Sequence, residues 1–147
     1  MEPGILEKVR KLAQGAKVVY VATANKEGVP HIAAEKGMAF HDEDRIIFRA
    51  WFCLKTVENL QENPKISLAV LDPKTHEGYQ ILGVTESVEK GAMLDGFASE
   101  KDRGGFPQVE YQLYIRIQAI SHLTPGAHSD EFISSKLKAQ SSKEKPL

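Results

Sequence analysis

A lysine and a threonine stand side by side at positions 55 and 56, inside the run RIIFRAWFCLKTVENLQENP from Arg45 to Pro64. The first half of that run alternates in apolarity as a strand does, and the second half has the spacing of a short helix. Lys55 and Thr56 fall in the helix's first turn, where the leading backbone N–H groups lack partners. Trp51, Phe52, Cys53 and Leu54 precede them, and none is a good N-cap. A lysine at this end also opposes the helix dipole. An anion resolves both oddities. A phosphate would take the free amides, pair with Lys55 and accept from the Thr56 hydroxyl, with Arg49 adding charge from the strand end. The alternative needs no ligand: Thr56 is its own N-cap and Lys55 is solvated. Neither a G-x-x-x-x-G-K-[ST] nor a G-x-G-x-x-G run occurs, so no P-loop and no dinucleotide fingerprint is on offer.

Other chemistry-bearing residues are weaker signals. His31 and Glu35 have the spacing of a helical metal pair, but on a strand they lie roughly 13 Å apart, and no metal site is expected. His41, His76, His122 and His128 fall at turns or strand ends, where a solvated imidazole is the default. Cys53 lies where a helix start can activate a thiol, but the expected role is that of a small space-filling residue. Trp51 and Phe52 suit either stacking on a ring or filling a subunit seam. Met38 and Phe40 alternate into the core.

The elements that must carry these residues follow from pattern. Ile5, Val9, Leu12 and Ala13 share one helical face, and Gly15 stops that helix. Val18 to Ala24 is a β-branched apolar run of the kind buried on both faces. After the turn at Asn25 to Gly28, Pro30 to Phe40 reads as a second strand and Arg45 to Ala50 as a third, with Ile46, Phe48 and Ala50 inward. The following helix puts Leu54, Val57 and Leu60 on one side and ends at Pro64. Ile66 to Leu71 and Tyr79 to Glu89 are the fourth and fifth strands, the latter entered through Gly78. Ala92 to Ala98 suggests a short helix. From Val109 to Ala119 apolar and polar residues alternate strictly, giving a sixth strand with one core face. Six strands joined mostly by short turns predict a mainly β protein, a six-stranded antiparallel barrel with short peripheral helices. Residues 1–126 form that domain. Residues 127–147, rich in Ser and Lys, read as a polar mobile tail with one helical turn near Phe132 to Leu137.

Bulk properties narrow the partners. With 147 residues, 41% of them apolar, the chain suffices for one packed domain. Its 19 basic and 20 acidic residues nearly cancel, at −1, so no nucleic acid and no anionic membrane surface is an expected partner. The single cysteine forms no internal disulfide. The N-terminus has no signal-peptide run and no window approaches a membrane span, so a cytoplasmic location is expected.

The order ATANKEGVPHIA, DEDRIIFRAWFCLKTVENLQENPKISLAV and GYQILGVTESVE resembles the FMN-binding split barrels, the pyridoxamine 5'-phosphate oxidase-like superfamily, and especially its small single-domain FMN-binding proteins. The likeness runs from Val18 to His122, and its specific part is a turn with G-x-P-H followed by K-T-x-x-N-L-x-x-N-P. It implies a homodimer with FMN in the groove between subunits. It also implies FMN contacts at Lys55 and Thr56 for the phosphate and at Arg49, Ala50 and Trp51 for the ribityl chain and phosphate. Ala33, Ala34, Glu35 and Lys36 would run along the flavin ring, and Gly78 and Tyr79 would come from the other subunit. The activity implied is oxidoreduction by hydride or electron transfer at the ring, or flavin binding and electron carriage without turnover. Lys36 would favour the anionic reduced ring and Glu35 would oppose it. The chain departs from the family at Leu54, where relatives often carry a second basic residue, and at Trp51 and Phe52, where small FMN proteins have glycines. It also ends its last strand in AISHLTPGAHS rather than an arginine-containing motif, which argues against the vitamin B6 reaction itself. Members of the superfamily also bind F420, FAD or haem.

Overall fold

A computed structural model of the chain describes residues 4–93 and 109–135. The elements are helix α1 (Ile5–Gly15), strands β1 (Val19–Ala24), β2 (Pro30–Glu35), β3 (Met38–Asp42) and β4 (Arg45–Ala50), helix α2 (Leu54–Glu62), then β5 (Lys65–Leu71), β6 (Gly78–Met93), β7 (Val109–Leu123) and β8 (Phe132–Ser135). Every pairing is antiparallel, in the order β2-β1-β5-β6-β7-β4-β3. β8 pairs with β7 at Ala119 to Ser121, beyond the stretch of β7 that β4 occupies.

Alternation decides what the sheet buries. Val19 and Val21 of β1, Phe48 of β4, Leu68 of β5, Ile81 of β6 and Ile115 of β7 belong to one apolar cluster. Strands far apart in the sheet order share that cluster, so the sheet curls around it. Each such fully buried side chain contributes about 1.5–3 kcal/mol of transfer free energy. α1 places Ile5 and Val9 in the same cluster and packs against β3, β5 and β6. α2 packs against β1 and β2, burying Val57 and Leu60.

The mainly β antiparallel class agrees with the sequence pattern, with eight strands among the described residues where six were expected. The run Pro30 to Phe40 is two strands. It breaks at Lys36 and Gly37, and its halves go to opposite edges of the sheet: β2 pairs with β1, and β3 with β4. Gly37 has φ 110, and a Cβ there would lie 2.1 Å from the Arg49 carbonyl oxygen. Only glycine permits that close crossing. Phe132–Ser135, where a helical turn was expected within the polar tail, is β8 instead; residues 136–147 lie outside the described residues. Ala92 and Met93 end β6 rather than opening a helix, and the rest of that expected helix lies outside the described residues. β1 is buried on one face only: Tyr20 is 42% exposed. On α2, Leu54 turns outward while Thr56 and Asn59 join the buried side, where the Asn59 amide donates to Thr23 Oγ1 at 3.1 Å.

Candidate functional site

The turn at Gly37 brings the end of β2 against the end of β4. Arg49 N–H donates to the Gly37 carbonyl at 3.2 Å, which fixes Lys36 beside Arg49. Between these strand ends and the segment after α1 lies a cleft of about 380 Å³, lined by Lys17, Val18, Ala34, Glu35, Lys36, Arg49, Ala50, Trp51 and Glu110. That volume lies within the range of small-ligand sites, about 300–1,000 Å³. Six residues singled out from the sequence thus meet in one place: Ala34, Glu35, Lys36, Arg49, Ala50 and Trp51. Ala33 shares a face of β2 with His31 and Glu35, paired with the buried Val21, and does not line the cleft.

Each lining side chain is set by its element. Ala50 is the inward residue that closes β4, buried opposite Tyr111. Arg49 points outward, and its Nε donates to Gln112 Oε1 at 2.8 Å. Gln112 continues to the Tyr114 hydroxyl, so a polar chain runs from the cleft along β7. Trp51 remains 39% exposed at the cleft, whereas Phe52 is buried with its ring edge-on to Phe48, centroids 5.1 Å apart.

α2 begins immediately after. Its N-cap is Cys53, with no side-chain cap hydrogen bond. The Cys53 carbonyl accepts from the amides of Thr56 (3.1 Å) and Val57 (3.4 Å). Among the described residues, the amides of Leu54 and Lys55 find no protein acceptor. Lys55 is exposed beside them. Thr56 is fully buried, and its hydroxyl lies 3.1 Å from Cys53 Sγ rather than facing open space. The same sulfur is 3.4 Å from His31 Nε2, so Cys53 is an exposed, bonded thiol rather than a core filler.

Glu35 joins cleft to helix. Half-buried on the side of β2 that carries His31, it accepts the Cys53 backbone N–H. Burial raises its pKa from 4.5 to about 7, while the Cys53 amide pulls it back. The site therefore combines exposed cations, two free amides, an open indole and a carboxyl that titrates near neutrality. It suits a ligand with a planar ring at one end and an anion at the other.

Gly78 and Tyr79 do not reach this cleft. Gly78 opens β6, where a Cβ would lie 1.9 Å from the Val70 carbonyl oxygen, and the Tyr79 ring rests 5.5 Å from that of His122. They stand beside a second hollow of about 490 Å³, formed by Lys17, Val18, Tyr20, Leu71 and the loop at Asp72, Pro73 and His76. The sequence reading missed Lys17, Val18, Gly37 and Glu110. Gly37 alone carried a signal, as a glycine interrupting a strand pattern. No group of three or more His, Cys, Asp or Glu gathers as a metal site among the described residues, and no helix among them is long and apolar enough to cross a membrane.

Comparison with known proteins reaches the same fold. Residues 5–113 match the family model described as Pyridoxamine 5'-phosphate oxidase. An uncharacterised protein of Methanocaldococcus jannaschii is 30% identical over 122 residues, 80% of each chain. A solved protein from Clostridium acetobutylicum, related to general stress protein 26, superposes with a TM-score of 0.61 at 20% identity, over 90% of this chain and 97% of the other. An FMN-binding protein from Syntrophomonas wolfei gives a TM-score of 0.58 at 22% identity, over 84% and 88%. An F420 reductase and a heme binding protein from Mycobacterium smegmatis share the fold at TM-scores of 0.57 and 0.56. With the family model spanning both the cleft and the start of α2, the chain belongs to the pyridoxamine 5'-phosphate oxidase-like family of FMN-binding split barrels.

Proposed function

We propose that the protein binds FMN in the cleft at Arg49 to Trp51, as a homodimeric flavoprotein that carries out oxidoreduction. The observation that carries this reading is the pair of unsatisfied amides at Leu54 and Lys55, beside the exposed lysine side chain and a few residues along the chain from Trp51, which lines a cleft of ligand size. The flavin phosphate takes those amides and the Lys55 ammonium, a charge-assisted arrangement at the positive end of α2. Thr56 supports the corner from behind through Cys53. Arg49 and Ala50 border the ribityl chain, Ala33 to Lys36 follow the ring, and Trp51 covers an aromatic face. When bound, the flavin supplies hydride or electron transfer; the chain supplies anchoring, orientation and charge near the ring.

The outer face of β1 and β2 supports the dimer. Tyr20 stands opposite Ala34 and Ala22 opposite Ile32, with Val18 adjacent. Ile32 is 67% exposed, a large apolar side chain on a face with few polar atoms. A second subunit on that face also brings Gly78 and Tyr79 towards the other subunit's cleft. An FMN-binding relative favours FMN. The F420 reductase and heme binding relatives make those groups the second reading for the cofactor, and flavin binding without turnover the second reading for the activity. The absorption spectrum of the purified protein, with mass spectrometry of the released ligand, tests the cofactor. A protein that stays colourless and gains no thermal stability from FMN overturns the proposal. Stopped-flow reduction by NADH or NADPH then separates a reductase, which bleaches rapidly, from a carrier, which does not.

A further inference from the structure

The larger hollow, of about 490 Å³, adjoins the proposed flavin cleft, and Lys17 and Val18 line both. The register of β1 and β2, Val19 with Glu35 and Tyr20 with Ala34, sets that shared wall against the segment proposed to follow the ring. Val18, Tyr20, Leu71 and Pro73 give the hollow apolar sides of the kind that hold a flat ring. Its charged groups are of opposite sign. Lys17 brings an ammonium and Asp72 a carboxylate, and among the described residues no ion pair joins them. One Asp72 oxygen holds the turn by accepting the Lys74 N–H at 2.7 Å, and the other has no donor among the described residues. Gly15 and Ala16 bring the C-terminal end of α1 to the same hollow, the negative end of its dipole, with no basic residue in the last turn. The His76 N–H closes the loop on the Asp72 carbonyl at 2.8 Å. Among the described residues His76 is the one non-glycine at positive φ, 64°. An imidazole is thus kept at the hollow in a backbone conformation that glycine adopts with less strain.

These groups select a ligand by charge. An anion in the hollow meets Asp72 and the helix end, and a cation meets Lys17. A neutral carboxamide satisfies both, since its nitrogen donates and its oxygen accepts. We infer that this hollow is a second binding site, for a planar heteroaromatic carboxamide: the amide nitrogen donates to Asp72, the amide oxygen accepts from Lys17, and the ring lies against Val18 and Tyr20. As a binding site it stands on the hollow alone. Its occupant's place as the second substrate, across the Lys17–Val18 wall from the flavin, rests on the FMN reading.

The experiment follows the backbone amide resonances of the isotope-labelled full chain during titration with nicotinamide and with nicotinate, one ring bearing an amide or a carboxylate. Nicotinamide should shift the amides of Lys17, Val18, Tyr20, Asp72 and His76. Nicotinate should bind about tenfold more weakly, having lost the donor and gained a charge that faces Asp72. Asp72→Asn keeps an oxygen for the Lys74 amide and removes the charge, so the preference for nicotinamide should vanish or reverse. The preference is first read on the unaltered protein, so the test survives a variant that fails to fold. No shift at the hollow, equal or tighter binding of nicotinate, or a preference unchanged in folded Asp72→Asn overturns the inference. In the FMN-loaded protein, saturating nicotinamide should also change the visible spectrum of the flavin; a spectrum indifferent to it removes the occupant's place beside the ring. If FMN fails to bind while nicotinamide shifts the hollow, the hollow stands and the flavin reading falls. If FMN binds and the hollow's resonances ignore both probes, the flavin reading stands and the second site alone fails.

Discussion

The outer surface of the sheet has two halves built to opposite rules. Across β4, β6 and β7 the outward residues are Arg45, Glu86, Arg116, Arg49, Gln112 and Tyr114, bonded to one another between strands and, for Gln112 and Tyr114, along β7. Across β1 and β2 they are Tyr20, Ala22, Ile32 and Ala34. Both halves cover the same core, so the core does not explain the difference. A polar outer face is what a solvated antiparallel sheet shows. An apolar one rimmed by cations at Lys17 and Lys36 is what a sheet shows when something covers it. The cleft sits where the two halves meet, with Ala34 from one and Arg49 from the other.

The largest effect should come from making the apolar half resemble the polar one. Tyr20→Glu with Ile32→Glu places paired charges in a two-fold contact, each encountered twice. Burying them uncompensated is expected to cost more than about 3 kcal/mol. Light scattering should show the proposed dimer become a monomer, and FMN affinity should fall with it. The matched control is Ser87→Glu, an exposed position opposite Tyr114 on the polar half, which should change neither. A monomeric wild type, or a double variant that still dimerises, removes the comparison's meaning.

Next in size is the anchor at the boundary. Lys55→Ala should weaken FMN binding by about 1.5–3 kcal/mol, as for loss of a charge-assisted hydrogen bond, with the dimer intact. Fluorescence titration reads the affinity and light scattering the mass. An unchanged dissociation constant would place the ligand's anion away from α2.

Glu35→Gln has a smaller, pH-dependent effect on the unliganded protein. A carboxyl whose folded pKa is raised stabilises the fold below its unfolded value, and that contribution is lost as pH rises through the folded value. With 4.5 raised to about 7, the window is pH 4.5 to 7. A shift of that size corresponds to about 3 kcal/mol if unscreened. Glu35 is only half-buried, so about 1–2 kcal/mol is expected. The variant should match wild type near pH 4 and exceed it by that amount near pH 8 in urea unfolding. Equal stability at both pH values would show that the carboxyl is effectively in solvent.

The same two halves explain how much could be read from sequence. β7 was legible because its faces differ in polarity, so alternation fixes both the element and its orientation. β1 was legible as a strand but not in its burial. Tyr20 and Ala22 are as apolar as residues covered within the chain, so the pattern reports a covering without saying by what. The break at Gly37 was hidden because its cause is the Arg49 carbonyl, a backbone atom that leaves no mark in composition. Lys55 at the start of α2 was legible from the missing cap. The partners of Cys53 were not, since His31 and Glu35 reach it from a strand 18 to 22 positions earlier and only the fold brings them together. Thr56 had the right type for a phosphate contact, yet the turn of α2 sends its side chain inward.

The smallest effect belongs to the polar half. Glu86 accepts from Arg116 and from Arg45, and these bonds, Arg116 first, hold its carboxyl below the usual carboxylate range. A lowered folded pKa contributes above the unfolded value and is lost as pH falls through the folded one. The group lies at the surface, where water and salt screen the pair and side-chain ordering offsets most of the attraction. Glu86→Gln should therefore leave subunit mass and FMN affinity unchanged, with a thermal midpoint within about 1 °C of wild type at moderate salt. Any difference should grow at low ionic strength and fade at acid pH, where the wild-type carboxyl is itself neutral. A monomer, or a lost flavin, from so mild a change would mean that the ion pairs of β4, β6 and β7 face a partner rather than solvent, and the two halves would exchange roles.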